Sequence, residues 1–194
     1  VSASKQRADD FSTFTQRLIL ELPICQHLIA TSEQRWSKIA FDVRPALASG
    51  SPSVKSVGIT GQLTGSRADI IIADDIEVPN NSMTQMMREK LSEAVKEFDA
   101  VLKPEGKILY LGTPQCEMSL YNTLTERGYK MRIWTARYPS IDDANKAYGD
   151  RLAPTLWDAM HKAESPLDGN PVDPLRFDDD DLMERELSYG RSGF

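Results

Sequence analysis

The sequence predicts an α/β fold, in which a mainly parallel sheet is flanked by helices. Three consecutive β-branched residues, Ile70 to Ile72, indicate a central strand covered on both faces, because a half-exposed strand would alternate between apolar and polar residues. A second apolar run, residues 107–113, follows after a helix-like stretch. The order strand, helix, strand is typical of a right-handed parallel crossover.

Composition and charge narrow the class of protein. The 194 residues are 40% hydrophobic and 27% charged, which is ordinary for one domain with a substantial core. The net charge of −6 argues against a generally basic protein that coats nucleic acid, although a local basic face is compatible with it. Two cysteines and two histidines without paired spacing argue against a disulfide framework or a zinc cluster. No apolar run reaches the roughly 20 residues that span a bilayer, and no signal peptide is visible, so we expect a cytoplasmic protein without membrane contact.

The first third of the chain predicts one clear helix and several short extended segments. Residues 1–4 lack an initiator Met and resemble the tail of a strand that leads into a helix, so we expect the chain to start inside a fold. An amphipathic, core-packed helix is predicted over residues 5–22, ended by Pro23. Residues 24–30 fit a helix or a strand, residues 36–43 a weak edge strand, and residues 54–60 a strand. The apolar positions that predict the helix are Ala8, Phe11, Phe14, Leu18 and Leu22.

The remaining elements follow from turn signals and apolar spacing. After a turn at residues 78–81, Ser82 and Gln85 form a potential capping box for a helix that runs to Lys103. Pro104 to Gly106 ends this helix ahead of the second apolar strand. Beyond it we predict a short helix over 120–127, a strand over 129–137, helices over 142–148 and 154–162, a loop over 165–174, and a helix over 181–187 capped by the acidic run 178–181.

The candidate site is the pair Asp74 and Asp75, directly after the first apolar strand. Open α/β sheets place their ligand crevices at the carboxyl ends of the strands. Two adjacent acids there suit a Mg²⁺ ion held by Asp74 and a water polarised by Asp75. A solvated turn and helix cap explains the pair equally well from this stretch alone. Thr113 and Gln115 would lie beside the acids if the two strands are neighbours.

Residues 61–67 form a loop with two glycines, Gly61 and Gly65, just ahead of the acidic strand. Its backbone could approach a ligand or another subunit, or the loop could be a plain surface turn. Arg67 could reach a phosphate, here or across a subunit interface. A structural salt bridge is the simpler role for Arg67.

Because these motifs follow one another in this order along the sequence, the chain resembles the large terminase subunit, or DNA maturase B, of short-tailed phages. Residues 1–8 are similar to the segment after the first P-loop helix, residues 61–79 to the region that carries Walker B, and residues 109–115 to the coupling motif. Residues 184–194 resemble the link into the nuclease domain. The resemblance implies the later part of a P-loop ATPase domain, a three-layer α/β fold, over residues 1–138. Residues 139–194 would then be a helical subdomain and linker.

The departures from this family concern the phosphate site and the Walker B acids. No Gly-x-x-x-x-Gly-Lys-Ser/Thr motif occurs in the sequence, so the loop that cradles phosphates and its lysine are missing. The nuclease domain is missing as well. We therefore interpret the chain as part of the ATPase domain, and we expect that it does not turn over ATP alone. Many terminases carry Asp-Glu in Walker B, whereas this chain has Asp74 and Asp75, and Glu77 becomes a possible substitute for the catalytic glutamate.

A second departure concerns the arginine that terminases commonly carry, followed by glycine, before Walker B. Thr64 and Gly65 occupy that place here. Arg67, three residues beyond Thr64, could supply the charge instead.

The resemblance further implies an ATP-driven motor that moves double-stranded phage DNA into a procapsid. Asp74, Thr113 and Gln115 would bind the cofactors, ATP and Mg²⁺, with Asp74 on the metal; Asp75, Glu77 and Arg67 would be catalytic. Thr113 is our choice for the relay between the nucleotide and the DNA-gripping parts. Implied partners are the portal protein, a small terminase subunit and further copies of the chain in a homo-oligomeric ring. The place of action would be the host cytoplasm, transiently at the procapsid portal.

Three other functions remain compatible with the residues. A helicase-like ATPase would use the same fold on nucleic acid without packaging. A nuclease would use Asp74, Asp75 and Glu77 as a metal centre and would need no phosphate loop. A degenerate domain without enzymatic activity would serve as an assembly scaffold.

Overall fold

The structure, a computed structural model, describes residues 1–189. The end of the predicted link at residues 184–194 thus lies outside the described residues. The chain forms two compact units, Val1–Arg127 and Gly128–Phe194. The first unit combines helices with a small parallel and a small antiparallel sheet, an arrangement compatible with the predicted α/β class.

The first unit is built around a strand, helix and strand in succession. In chain order the elements are α1 (Lys5–Glu21), a 3-10 helix (Pro23–Leu28), β1 (Ala40–Phe41), β2 (Val54–Lys55), β3 (Ala68–Asp74), α2 (Pro79–Ser82), α3 (Gln85–Val101), β4 (Leu102–Leu111), α4 (Leu120–Thr123) and a 3-10 turn (Leu124–Arg127). Strands β3 and β4 pair in parallel, with Ile70 beside Lys107 and Asp74 beside Leu111. The predicted parallel connection is confirmed.

Strand β3 buries one face and exposes the other. Ile71 is 6% exposed and Ala73 fully buried, and their pairing places them on the face of Tyr110, whose ring stacks on Phe98 of α3 at 6.0 Å between centroids. On the opposite face Ile70 is 59% and Ile72 37% exposed. The prediction of a strand covered on both faces is therefore wrong for this chain, because α3 covers only one side of the two-stranded sheet.

Helix α1 has the predicted extent but buries a different face. Ser4 caps it by accepting a hydrogen bond from the Arg7 N–H at 3.2 Å. Phe11 and Phe14 are 53% and 56% exposed, so the apolar stripe predicted to pack in the core does not do so. Polar residues take part of its place, and two of them, Asp9 and Gln16, find hydrogen-bond partners at the buried face. The buried positions are Ala8, Asp9, Ser12, Gln16 and Ile19.

The extended segments around β3 are shorter than predicted. Residues 36–43 and 54–60 contribute only the two-residue strands β1 and β2, which pair antiparallel. Residues 24–30, which fit a helix or a strand, are mostly 3-10 helix. Ser2 forms single parallel bridges to Gly58 on one side and to Asp74 on the other. Residues 1–4 lead into a helix as predicted, but the predicted end of a strand is reduced to these single bridges at Ser2.

The connection from β3 to β4 begins and ends differently from the prediction. Thr84, not Ser82, caps α3, because the Thr84 hydroxyl accepts from the Met87 N–H at 3.3 Å; Ser82 lies in the short helix α2. Helix α3 ends at Val101, and β4 already starts at Leu102. The pairing of β4 with β3 is irregular at first and becomes regular from Lys107 onward. The regular part coincides with the predicted apolar strand.

The second unit is mainly helical. Its elements are α5 (Ile141–Asp143), a π-helical turn (Ala144–Tyr148), a 3-10 turn (Gly149–Arg151), α6 (Pro154–Lys162) and α7 (Asp179–Tyr189). Its core cluster is Ala144, Leu152, Ala153 and Leu156. The prediction of α6 is confirmed, and Asp178 caps α7 by accepting from the Asp181 N–H at 2.9 Å. The predicted strand over 129–137 is wrong, because that segment pairs only in isolated bridges at Ile133 and Arg137.

None of the helices described between residues 1 and 189 combines the length and the apolar character that a membrane-spanning helix needs.

The buried carboxylate of Asp9 is expected to link stability to pH. Burial alone would raise its pKa, but hydrogen bonds from Lys5 and Ser56, each at 2.5 Å, outweigh burial and hold the pKa of Asp9 below its usual range. A carboxylate with a lowered folded pKa stabilises the fold above its unfolded pKa of about 3.9, and this contribution is lost as pH falls through the folded pKa.

Asp9→Asn should therefore lower the free energy of unfolding by about 1–2 kcal/mol at pH 7. The difference from the unchanged chain should shrink below about pH 4. Urea unfolding between pH 3 and 7 measures both effects. The neighbouring Asp10, which is exposed, provides the control Asp10→Asn; an equal effect of both variants would contradict the role of the buried carboxylate.

Candidate functional site

The two acids lie where β3 leaves the sheet. The Asp75 N–H donates to the carbonyl oxygen of Leu111 at 2.9 Å, and the Asp74 N–H donates to that of Val1 at 2.8 Å. Asp75 has a φ of +44°, a left-handed conformation that Asp and Asn adopt more readily than most residues. The strand therefore ends at Asp74, and the chain turns away at Asp75, with Asp74 half-buried and Asp75 exposed.

Asp74 and Thr113 lie at the same end of adjacent parallel strands, as predicted. Asp74 pairs with Leu111, and Thr113 follows only two residues later. Thr113 and Gln115 are exposed, and the Gln115 side-chain amide donates to the Thr113 carbonyl oxygen at 3.1 Å. The structure thus brings the loop that follows β4 to the edge of the sheet where the acids are.

Glu77 is a buried link between the two loops at this edge. Its side chain is 1% exposed, and one carboxylate oxygen accepts from the Leu120 N–H at 2.6 Å while the other accepts from the Gln115 N–H at 3.2 Å. Hydrogen bonds to a carboxylate are stronger than those between neutral groups. Glu77 therefore fixes the loop after β4 against the loop after β3, and its carboxylate faces backbone amides instead of solvent.

Tyr121 contacts the start of the same loop, where β4 ends. Its hydroxyl donates to the Leu111 carbonyl oxygen at 3.3 Å, and burial raises the pKa of Tyr121 to about 12. A Cβ at Gly112 would overlap this hydroxyl. Position 112 therefore requires glycine for the close approach of Tyr121 to the backbone.

Arg7 lies beside the acids, a position that sequence reasoning missed. Its guanidinium lies 4.0 Å from the Asp75 carboxylate, with the two side chains 60% and 53% exposed. An ion pair this exposed contributes little to stability, but it places a cation beside the acids. The resemblance of residues 1–8 to a family segment was the available signal, and only the folded chain shows that α1 begins next to Asp75.

Arg67 lies away from the acids within the chain. It directly precedes β3, whereas Asp74 ends it, so about 20 Å of strand separates them at about 3.3 Å per residue. The Arg67 guanidinium donates to the carbonyl oxygen of Ser66 at 2.9 Å. The structure does not bring Arg67 to the acids of its own chain.

The carboxylates at this edge of the sheet include one, that of Asp74, which is of the kind that commonly binds Mg²⁺. Mg²⁺ is commonly held by one or two carboxylates together with waters and substrate phosphates, and Asp74 provides such a carboxylate. Within residues 1–189 no group of three or more His, Cys, Asp or Glu side chains is arranged to hold a metal. The alternative three-carboxylate centre of Asp74, Asp75 and Glu77 is thus not formed in the described structure.

Comparison with known proteins tests the resemblance to large terminase subunits. No family model matches the chain. The chain is 55% identical over 197 aligned positions to the terminase large subunit of Enterobacteria phage T3, and the match covers the chain completely. The predicted resemblance to large terminase subunits is confirmed. The chain spans 34% of the length of that relative.

The link through Glu77 leads to a testable prediction. Glu77→Gln should lower the free energy of unfolding by about 2–3 kcal/mol, because the new amide group would face a backbone N–H that has lost its acceptor. Hydrogen exchange of the Gln115 and Leu120 amides should also accelerate. Urea unfolding and amide exchange measured by NMR test this.

The matched control for this variant is Glu117→Gln. Glu117 lies in the same loop, but its side chain is exposed. An unchanged exchange rate at Leu120 in Glu77→Gln would show that the carboxylate does not hold the loop.

Proposed function

We propose that the chain is the later part of the ATPase motor of a phage large terminase, which drives double-stranded DNA into a procapsid. The identity of 55% over the whole chain to the T3 large subunit is the observation that carries this proposal. The parallel β3–α3–β4 unit, with acids after one strand and Thr113 after the next, supports a P-loop NTPase fold. Because the sequence has no phosphate-loop motif, complete nucleotide binding requires residues outside this chain.

In this proposal Asp74 and Asp75 have different roles. The half-buried Asp74 would hold Mg²⁺, which supplies charge neutralisation at the phosphates of ATP. Asp75 is the more exposed acid, and its left-handed backbone turns it out of the sheet. Its carboxylate would accept a hydrogen bond from the attacking water and orient it. Arg7, within 4.0 Å, would tune the position of the Asp75 carboxylate.

Glu77 fits a positioning role better than that of a catalytic base. A carboxylate that accepts two backbone hydrogen bonds and is 1% exposed has little freedom to orient a water. It instead joins the loop of the acids to the loop of Thr113 and Gln115. Coupling between nucleotide hydrolysis and DNA movement would pass through this connection, with Thr113 at its exposed end.

Arg67 would act between subunits of a homo-oligomeric ring. It is exposed and lies at the end of β3 opposite to its own acids, so a neighbouring subunit is the partner whose phosphates it could approach. DNA, the portal protein and a small terminase subunit would complete the assembly. Hydrolysis would take place in the host cytoplasm while the motor is docked at the portal.

Asp75→Asn in the full-length protein tests the catalytic role. Asn tolerates the left-handed backbone at this position, so the fold and nucleotide affinity should persist while the loss of the charge lowers kcat by about 10²-fold or more. Steady-state phosphate release gives kcat and KM, and equilibrium nucleotide binding gives affinity.

The control is Asp69→Asn, which removes an exposed acid at the opposite end of the same strand. The Asp69→Asn variant should hydrolyse ATP at the same rate as the unchanged protein. Full hydrolysis in Asp75→Asn would assign the catalytic carboxylate to another residue, and equal loss in both variants would indicate a structural effect.

Thr113→Ala should separate hydrolysis from packaging. If Thr113 relays the loss of phosphate, the variant should retain appreciable ATPase activity while DNA packaging fails, because coupling and chemistry are separate free-energy contributions. ATP hydrolysis and packaging are measured side by side, with the exposed Thr125→Ala as control. Equal loss of both activities in Thr113→Ala would mean that Thr113 serves the chemistry directly.

A further inference from the structure

The second unit begins with a stretch of chain that is locally positive. The whole chain has a net charge of −6, yet residues 128–141 contain three basic residues and no Asp or Glu. One of the three, Arg137, is neutralised by two acids of α7. The other two, Lys130 and Arg132, form no ion pair in the structure described between residues 1 and 189. Their charges therefore remain available to a partner.

Both cations lie on the same side of the chain as an exposed tryptophan. Exposed and half-buried side chains alternate over residues 130–136, as they do along an extended chain. The half-buried Ile133 is bridged in parallel to Leu152 of the core cluster. The residues between the half-buried ones therefore lie on the solvent side, and among them Trp134 is 63% exposed.

The backbone that carries these side chains is held by its neighbours. The Ile133 N–H donates to the carbonyl oxygen of Arg151 at 2.8 Å, and the Ile133 carbonyl oxygen accepts from the Ala153 N–H at 2.9 Å. Further along, the carbonyl oxygen of Ala136 accepts from the Val172 N–H at 2.9 Å. A surface that is ordered before its partner arrives loses less conformational freedom on binding.

A third cation, Arg151, lies against the same turn as Arg132. The Arg132 guanidinium donates to the carbonyl oxygen of Asp150 at 3.1 Å. The Arg151 guanidinium donates to the carbonyl oxygens of Tyr148 at 3.2 Å and Ala147 at 2.5 Å. Carbonyl oxygens orient the two guanidinium groups without cancelling their charge. Within the described residues the exposed carboxylate of Asp150 forms no ion pair with either arginine.

We infer that Lys130, Arg132, Trp134 and Arg151, which we call the basic face, bind the sugar–phosphate backbone of the DNA that the motor moves. This inference rests on the proposed function, which supplies duplex DNA as the polyanion. Lys and Arg are common donors to phosphate oxygens, and the exposed indole ring adds an apolar contact with the deoxyribose. Contacts to the backbone carry no sequence information, which suits a motor that has to move DNA of any sequence.

The salt dependence of DNA binding by the full-length protein tests the two cations. The logarithm of the affinity falls linearly with the logarithm of the salt concentration, with a slope of about −0.9 for each phosphate that is neutralised. Removing both charges in Lys130→Gln/Arg132→Gln should weaken binding about tenfold at about 0.1 M salt and make the slope shallower by about 1.8. Fluorescence anisotropy of a labelled short duplex of random sequence, in buffer without divalent cations, measures both quantities.

The single variant Lys130→Gln keeps the test independent of folding. In the described structure the Lys130 side chain is exposed and, unlike Arg132, is in no hydrogen bond that holds the backbone. Its replacement should make the slope shallower by about 0.9.

Trp134 should give a different signature from the cations. Trp134→Ala should weaken DNA binding at every salt concentration and leave the slope unchanged, because it removes an apolar contact and no charge. Trp134→Phe, which keeps an aromatic ring, should retain most of the affinity. A changed slope in Trp134→Ala, or an unchanged affinity, would remove Trp134 from the basic face.

The matched control is Lys146→Gln/Lys162→Gln. It removes two exposed cations from the same unit, but these pair with Asp142 and Asp158. The affinity and slope of this variant should stay close to those of the unchanged protein. Equal losses in both double variants would reduce the effect to net charge and overturn the inference.

Two further outcomes separate this inference from the proposed function. If the unchanged protein binds DNA and Lys130→Gln/Arg132→Gln binds it with the same slope, the basic face faces another partner, and only this inference is overturned. If the unchanged protein does not bind DNA, the proposed function is overturned as well.

Discussion

The parallel pairing of β3 with β4 is the constraint on which the candidate site depends. Through this pairing Asp74 lies beside Leu111, and both strands end at the same edge of the sheet. The buried Glu77 carboxylate then binds the backbone of Gln115 and Leu120 and prevents the two loops from separating. A carboxyl group buried in this way has to be satisfied by hydrogen bonds, so the loop after β4 has little freedom to adopt other positions.

The sequence was sufficient to place Asp74 and Thr113 because apolar runs define where strands end, and parallel strands end at one edge. It was insufficient for α1, where periodicity selects Phe11 and Phe14. The helix instead buries Asp9, whose partners Lys5 and Ser56 come from one turn earlier and from a segment distant in sequence. Polar partnerships between distant segments leave no periodic signal, and for this reason the packed face could not be predicted.

The role of Glu77 was hidden for a related reason. From its place near the acids a carboxylate is expected to work on metal or water, yet its environment is set by Leu120, 43 residues away in the chain. The exposure of Ile70 and Ile72 has a different cause, because here a predicted covering layer is absent from the described residues. Their β-branched run predicts burial on both faces, whereas the described residues cover only one face of β3.

The left-handed backbone at Asp75 bears on why the second acid is an aspartate. Asp and Asn have short polar side chains that can hydrogen-bond locally and so accept a positive φ, whereas longer side chains accept it less readily. A glutamate at position 75 would extend the reach of the carboxylate but would strain the turn that ends the strand. The local geometry therefore favours the shorter acid, although Glu105 adopts a positive φ elsewhere in the chain, and with Asp75 the site obtains its reach from the backbone instead of from an additional methylene group.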